Sequence, residues 1–309
     1  MNFFARPWRI GTPNVAADLD LIDGHCHVSD PRLAPTESHW LTECAGVGIR
    51  QFILGGVDPE DWDRQIAFRQ RVAPLGFKAH LTFGLHPWFV ASHSDEECER
   101  AFADLKNRIL FRAEARDHGI VGIGEMGLDS LKGEMALQKK WFQKQWQFAQ
   151  EVGMPVVLHV VRAHSEACEI LGMPRGLPGG SGIVHSFSEG PEIAMEYINR
   201  GFLLSISGVI ARKGFQKLKR AVVQVNPKDL CFESDAPDQP PPRLNLGTTR
   251  PGETGPSFAL NLPTAIRDVA ETIQVLRKDL SINQGWNTEK WLGESRENLI
   301  RCFDLYGNG

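Results

Sequence analysis

The amino-acid sequence predicts an α/β fold of the (β/α)8 TIM-type barrel class. Two observations support this prediction. Eight short β-rich segments alternate with helical patterns along the 309 residues, and several segments are nearly continuous apolar runs, such as Val156-Val157-Leu158. Strands of a parallel sheet that helices cover on the outside have this composition. Repeated strand–helix alternation favours a closed barrel over an open sheet.

The predicted strands are short, and helical patterns separate them. They are Leu19–His27, Ile49–Val57, Lys78–His86, Ile120–Glu125, Pro155–Val160, Gly182–Ser186, Phe202–Ser207 and Asp229–Asp235. The clearest helical pattern covers Ala136–Val152, where Leu137 and Trp141 fall on one apolar stripe. Such a stripe is typical of a helix packed on the outside of a barrel. Two further helical patterns, at Ala259–Lys278 and Thr288–Leu305, follow the last strand.

We interpret residues 1–309 as a single domain, because barrels of this class commonly exceed about 200 residues as one unit. One segment interrupts the alternation. Residues 236–258 follow the last predicted strand and contain six prolines and three glycines. In a barrel this loop lies over the catalytic mouth. It is either an inert surface loop or a lid that shapes the substrate site.

Charge and cysteine usage narrow the class of protein. The formal net charge is −4 with the histidines counted as neutral. A polyanionic substrate therefore has to be held locally, by metal ions or a small basic patch. The six cysteines are scattered without a CxxC pair, as expected for reduced thiols. We see no apolar run that suits a signal peptide or a membrane span, so we expect a cytoplasmic protein without membrane contact. The oligomeric state stays open.

Two histidines lie close together where the first predicted strand ends. His25 and His27 are two residues apart, so their side chains point to the same face of the strand and can meet at one ion. Taken alone, the pair fits hydrogen-bonded core histidines better than a metal site.

Four more residues with ligand chemistry end other predicted strands. Glu125 ends the fourth, His159 the fifth, His185 the sixth and Asp235 the eighth. Each has a simpler explanation when taken singly: an acid near a helix N-terminus, a buried histidine with satisfied hydrogen bonds, or a helix cap. In a barrel, however, these strand ends surround one mouth. Six potential ligands at equivalent ends of five strands therefore predict a metal site.

Eight motifs extend across nearly the whole chain. They are DGHCH at 23–27, GLHP at 84–87, GEMGLD at 124–129, PVVLH at 155–159, VHSFS at 184–188, ISG at 206–208, ESDAP at 233–237 and NLIRCF at 298–303. In combination they resemble the TatD family of metal-dependent deoxyribonucleases, within the amidohydrolase superfamily. The combination is highly specific.

The resemblance implies two divalent ions at the barrel mouth, each with its own ligands. The implied ligands are His25, His27 and Asp235 for one ion, His159 and His185 for the other, and Glu125 as the bridge between them. Four histidines favour Zn, Mn, Fe or Ni over Mg, which prefers oxygen ligands, although the resemblance also allows Mg.

The resemblance also implies residues that contact the substrate. His86 matches a family position near the substrate, and Lys213 matches a basic residue after the seventh strand. Arg162 stands one place later than the arginine of the family's HxR motif. Trp88 replaces a second histidine of GxHPH, and Ser130 replaces a tyrosine that usually follows GLD. The metal ligands are intact and the substrate wall is altered, so the reaction type is better indicated than the substrate.

These residues predict hydrolysis by a water that bound divalent ions activate, with Asp235 as general base and Glu125 as the second catalytic carboxylate. The resemblance favours a deoxyribonuclease that acts 3′ to 5′ on single-stranded or damaged DNA. The same centre also suits a C–N or ester hydrolase, such as an aminoacyl-tRNA deacylase or a small amidohydrolase. A non-catalytic scaffolding barrel is the third class, and it predicts a lost ligand, which the sequence does not show.

Overall fold

The computed structural model describes residues 20–111, 119–172, 180–242, 260–278, 280 and 285–306. Eight strands form one sheet in which each strand pairs in parallel with the next along the chain. They are β1 (Leu21–Cys26), β2 (Ile49–Leu54), β3 (Lys78–Phe83), β4 (Ile120–Asp129), β5 (Val156–Val161), β6 (Gly182–Val184), β7 (Phe202–Ile206) and β8 (Leu230–Phe232). The (β/α)8 barrel class is confirmed.

Backbone hydrogen bonds just beyond β8 bring the two edges of the sheet together. The Asp235 amide donates to the His25 carbonyl at 3.0 Å, and the His27 amide donates to the Ala236 carbonyl at 2.7 Å. These bonds nearly close the barrel, so residues that follow β1 and β8 share one mouth.

Helices alternate with the strands. Within the described residues they are α1 (Glu37–Gly46), α2 (Pro59–Val72), α3 (Pro87–Ser92), α4 (Asp95–Leu110), α5 (Met135–Val152), α6 (His164–Leu171), α7 (Pro191–Ile198), α8 (Gln216–Gln224), α9 (Ile266–Arg277) and α10 (Thr288–Phe303). No described helix has the length and apolar composition that crossing a membrane requires. All six cysteines are buried and unpaired.

Helix α5 shows why the apolar stripe matters for the fold. Trp141, Phe142 and Phe148 on this helix are buried in the main core cluster. Burial of such side chains contributes about 1.5–3 kcal/mol each. The helix ends at Gly153, whose φ of 69° is a left-handed conformation that glycine adopts without strain. The predicted packing of this helix on the outside of the barrel is therefore confirmed.

Several predicted boundaries differ from the observed ones. β4 does not end at Glu125 but continues to Asp129, because its pairing with β5 resumes after an irregularity between Ile123 and Met126. Conversely, β8 ends at Phe232, and Asp235 lies in the turn that follows, with a φ of 57°.

The penultimate helical segment starts later than the sequence pattern indicated. Helix α9 begins at Ile266, after a 3-10 turn at Pro263–Ala265. Leu262 is extended, with φ −128° and ψ 155°, because a following proline disfavours the helical conformation. Of the predicted loop at 236–258, residues 243–258 lie outside the described residues, and so does the lid prediction that rests on them.

Candidate metal centre

The six residues predicted as metal ligands lie together at the mouth of the barrel. Each is inside or directly after a strand, at positions His25 (β1), His27 (after β1), Glu125 (β4), His159 (β5), His185 (after β6) and Asp235 (after β8). The mouth opens into a cleft of about 700 Å³, which Glu125 and four of the other residues line. His25 is fully buried beneath it.

The Glu125 carboxylate is the centre of this cluster. Its Oε1 atom lies 3.4 Å from His25 Nε2 and 3.2 Å from His27 Nε2. Its Oε2 atom lies 3.2 Å from His185 Nε2 and 3.5 Å from His159 Nδ1. The two oxygens of one carboxylate thus face two different pairs of imidazoles, which is the arrangement that a bridging ligand requires.

The outer nitrogen of three histidines faces an oxygen acceptor, which in the neutral ring favours the proton on that side and a lone pair on the inward nitrogen. His27 Nδ1 lies 3.1 Å from the Gly55 carbonyl. His185 Nδ1 faces Glu233 Oε1 at 3.4 Å, and His159 Nε2 faces Asp129 Oδ2 at 3.6 Å. An acceptor on one nitrogen favours the proton there and leaves the other nitrogen free to bind a metal. In all three rings that free nitrogen is the one that faces Glu125.

His25 occupies a space that only a glycine neighbour permits. A Cβ atom at Gly55 would lie 2.2 Å from His25 Cε1, so any other residue there would displace the ring. Both ring nitrogens of His25 are buried without a hydrogen-bond partner, as is Glu125 Oε1. Buried polar atoms without partners cost about 1–3 kcal/mol each. A cation bound between them would satisfy these atoms, so the residues fit a divalent metal ion.

The pKa values of the clustered side chains reflect how close together they lie. Burial alone would raise the pKa of Glu125, but the adjacent His185 and His25 rings outweigh it and hold this pKa well below its usual range. Burial opposes protonation of His27 and His185, yet the charge of Glu125 raises their pKa values to about 10 and about 9. In the metal-free protein these two imidazoles therefore hold protons that a bound cation must displace.

Asp235 has each carboxylate oxygen in a different environment. Oδ1 lies 3.7 Å from His27 Nε2, and Oδ2 accepts from Gln239 Nε2 at 2.5 Å. The side-chain oxygen Oε1 of Gln239 in turn accepts hydrogen bonds from the Ser186 and Ser207 hydroxyls at 3.0 and 3.2 Å. Burial raises the pKa of Asp235, against the lowering effect of the neighbouring imidazoles. A buried carboxylate with a raised pKa is a suitable proton acceptor.

His86 is oriented in the opposite way to the other rings. Its Nδ1 accepts a hydrogen bond from the Trp88 amide at 3.0 Å, so the neutral ring carries its proton on Nε2. That nitrogen lies 3.7 Å from Glu125 Oε2. Burial, followed by the charge of His159, places the pKa of His86 well below its ordinary value. His86 is thus a neutral donor that points into the site, as expected for a residue that contacts a substrate oxygen.

The other two predicted substrate residues lie elsewhere. Arg162 directly follows β5 and is exposed, and Lys213 is exposed after β7. Neither is among the residues that line the cleft. Their contact with substrate stays a prediction.

Four residues that support the site were not predicted from the sequence. Glu233 and Asp129 face the outer nitrogens of His185 and His159, and Gln239 and Gly55 contact Asp235 and His27. A signal was present for the two carboxylates. Glu233 is two positions from Asp235 and Asp129 is four positions from Glu125 in the sequence, the same even spacing that links His25 to His27.

Comparisons with known proteins identify the family of the chain. The sequence profile of the family described as "TatD related DNase" matches residues 22–304. An uncharacterized metal-dependent hydrolase of Escherichia coli, YjjV, is 27% identical over 244 residues, which are 77% of this chain and 88% of the relative. A 3'-5' ssDNA/RNA exonuclease TatD of Cronobacter turicensis is 30% identical over 203 residues, which are 64% of this chain and 70% of the relative.

Solved structures show the same fold. The crystal structure of E. coli YjjV superposes with a TM-score of 0.73 at 24% identity and covers 93% of this chain and 98% of its own. A TatD-family hydrolase from Entamoeba histolytica also has a TM-score of 0.73, at 17% identity, over 92% of this chain and 98% of its own. Because the family profile spans nearly the whole sequence, the chain belongs to the TatD-related DNase family, a family of metal-dependent hydrolases.

Proposed function

We propose that the protein is a divalent-metal-dependent phosphodiesterase that removes nucleotides from the 3′ end of single-stranded or damaged DNA. The observation that carries this proposal is the buried Glu125 carboxylate, each of whose oxygens faces its own pair of imidazoles. Such a centre suits phosphoryl transfer, where charge develops on two oxygens at once. The exonuclease from C. turicensis, at 30% identity, supports the choice of substrate.

We assign the six residues at the mouth to two ions. His25, His27 and Asp235 would hold one ion, His159 and His185 the other, and Glu125 would lie between them. Once bound, the two ions lower the pKa of a water molecule and neutralise charge on the phosphoryl oxygens.

The chain's own groups handle the proton and orient the substrate. The water oxygen forms a bond to phosphorus, the bond from phosphorus to the leaving sugar oxygen breaks, and the proton from the water passes to Asp235. The leaving sugar oxygen takes up a proton from solvent and ends as a hydroxyl, and Asp235 returns its proton to solvent before the next turnover. The Nε2–H group of His86 donates to a phosphoryl oxygen, because its tautomer is set by the Trp88 amide. Proton transfer by a placed side chain contributes about 10²–10⁴-fold to the rate.

The size of the cleft supports attack at the end of a nucleic-acid strand. A cleft of about 700 Å³ is of the size that holds one small ligand, such as a terminal nucleotide. The proposal therefore predicts shortening from an end rather than internal cleavage.

The acidic wall of the cleft favours a second candidate, hydrolysis of a small amide or ester. Asp30, Asp58, Asp61 and Asp238 line the cleft beside the metal-binding cluster. These four carboxylates outnumber the two arginines that pair with them, Arg32 and Arg64, so their net charge repels a polyanion. A neutral amide or ester enters without that cost.

A 5′-labelled single-stranded oligonucleotide with Mg- or Mn-loaded protein distinguishes the two candidates. We expect a ladder that shortens from the 3′ end with the parent protein and no ladder with Asp235→Asn. Ester and amide substrates are assayed in parallel with the same metal. Clear turnover of an ester or amide with no cleavage of DNA under any metal would replace the first candidate with the second.

A further inference from the structure

The cleft contains few cations, and most of them are already neutralised. Arg32 forms ion pairs with Asp30 at 2.8 Å and with Asp238 at 2.9 Å. Arg64 forms an ion pair with Glu60 at 2.7 Å and lies 3.4 Å from Asp61. A phosphate would have to compete with carboxylates for either guanidinium.

Lys132 differs from both arginines. It lines the cleft from the loop between β4 and α5, and its side chain is exposed. Its ammonium lies 4.8 Å from the centre of the Trp88 ring, and within the described part of the chain it has no carboxylate partner. Among the described residues that line the cleft, Lys132 is therefore the cation that is available to a phosphate.

The Trp88 ring beside it is exposed but anchored. Its relative exposure is 51%, unusual for so large an apolar side chain. The indole Nε1–H donates to Asp129 Oδ2 at 2.6 Å, and the ring makes an edge contact with His86 at 5.2 Å between centroids. A held aromatic ring that faces solvent at an active-site mouth can stack an unpaired base without further ordering.

We propose that Trp88 and Lys132 together bind one nucleotide of a single-stranded nucleic acid next to the reacting bond. The base stacks on the indole face that the Lys132 ammonium does not cover, and the adjacent phosphodiester pairs with the ammonium. This inference rests on the proposed nuclease function and adds a specific contact to it. It explains how an acidic cleft admits a polyanion, and it selects single strands because a paired base cannot reach the ring.

The two contacts have different physical signatures, which direct binding measurements separate. We use fluorescence anisotropy of a short 5′-labelled oligothymidylate with Mn-loaded Asp235→Asn protein, at salt concentrations between about 50 and 200 mM. Adding Lys132→Met should raise Kd about tenfold, the loss expected for a charge-assisted contact. It should also reduce the slope of log Kd against log salt by about 0.7, the value for one phosphate contact on a single strand.

Substitutions at Trp88 test stacking separately from its hydrogen bond to Asp129. Trp88→Leu should raise Kd about tenfold and leave the salt slope unchanged, because stacking releases no counterions. Trp88→Phe keeps an aromatic face but loses the indole N–H, so it should retain most of the affinity. Equal losses in both variants would mean that the hydrogen bond to Asp129, rather than stacking, is important, and would overturn the stacking half of the proposal.

A matched control exists outside the cleft. Lys290 is also exposed and its ammonium lies 4.5 Å from the centre of the Trp286 ring, but neither residue lines the cleft. Lys290→Met should leave Kd and the salt slope unchanged. If Lys132→Met behaves like this control while the parent protein cleaves DNA, the present inference is wrong and the nuclease proposal stands. If the protein neither binds the oligonucleotide nor cleaves DNA, both are wrong.

Discussion

The barrel buries two clusters of polar side chains, one near each end, and they differ in whether their hydrogen bonds are satisfied. Near the starts of β2 and β3, Gln51 Oε1 lies 2.8 Å from His80 Nε2. The Gln51 amide donates to Asp20 at 2.7 Å and to the Tyr306 hydroxyl at 2.8 Å. At the mouth, by contrast, neither ring nitrogen of His25 has a hydrogen-bond partner.

The pKa values of the histidines also differ between the two clusters. Burial, followed by the charge of Arg69, lowers the pKa of His80 to about 4, so this ring is neutral, and its Nε2 is hydrogen-bonded to Gln51 Oε1. In the mouth cluster the charge of Glu125 overcomes burial and raises the pKa of His27 to about 10. The contrast teaches that burial of a histidine does not by itself indicate a metal ligand. Ring nitrogens that lack hydrogen-bond partners and surround a shared carboxylate do indicate one.

Removal and return of metal should produce the largest difference in activity between variants at the two ends of the barrel. Exhaustive chelation should abolish turnover, and Mn or Zn should restore it, because the ions supply several kcal/mol of transition-state stabilisation, or about a thousandfold in rate. The double variant His159→Ala/His185→Ala should stay inactive after metal is added. The variant His80→Leu, at the other end of the barrel, should recover its full turnover when metal is returned. Full activity in protein verified as metal-free by elemental analysis would disprove the assignment.

Asp235→Asn tests whether this residue acts as a base as well as a ligand. The substitution keeps the shape of the side chain but removes its basicity, so kcat should fall about a hundredfold or more. Bound metal, measured by mass spectrometry of the elements, should fall less than in the double histidine variant. Near-normal turnover with full metal would place the general base elsewhere.

Metal affinity should rise with pH. The raised pKa values of His27 and His185, about 10 and about 9, mean that both rings are protonated in the metal-free protein near neutral pH. A metal binds only the neutral ring, so each displaced proton should increase affinity about tenfold per pH unit. The increase should level off as the pH passes about 9 and then about 10. Competition with a chelator at several pH values measures this slope, and a flat profile would contradict it.

The sequence was sufficient to predict the barrel and the residues that meet at its mouth. Strand-helix alternation and HxH spacing are local signals, and the parallel barrel brings local strand ends together without further information. The structure does bring His25, His27 and the other four residues to one place, while their role as ligands stays a proposal.

Other features depended on contacts between distant segments. Which nitrogen of His185 faces inward depends on Glu233, 48 positions further along the chain. The exposed position of Lys213 depends on how the segment after β7 folds away from the cleft. The isolation of Lys132 from carboxylates could not be predicted, because a sequence does not show which cations already have partners.

The smallest predicted effect concerns stability and separates the two buried clusters most directly. In chelated protein, His80→Leu should lower the free energy of unfolding by about 1–3 kcal/mol, because Gln51 Oε1 loses its partner and stays buried. His25→Leu should cost less than about 1 kcal/mol, because neither nitrogen of His25 makes a hydrogen bond that could be lost and an apolar side chain fills the same space. Urea titrations monitored by circular dichroism give both values. The difference between the two variants should then shrink when Mn is added at about a hundred times its Kd. The parent and His80→Leu should each gain about 2.7 kcal/mol, whereas His25→Leu should gain less because one ligand is missing. An equal gain in both variants would mean that the unpartnered nitrogens of His25 are a packing defect and not part of a metal site.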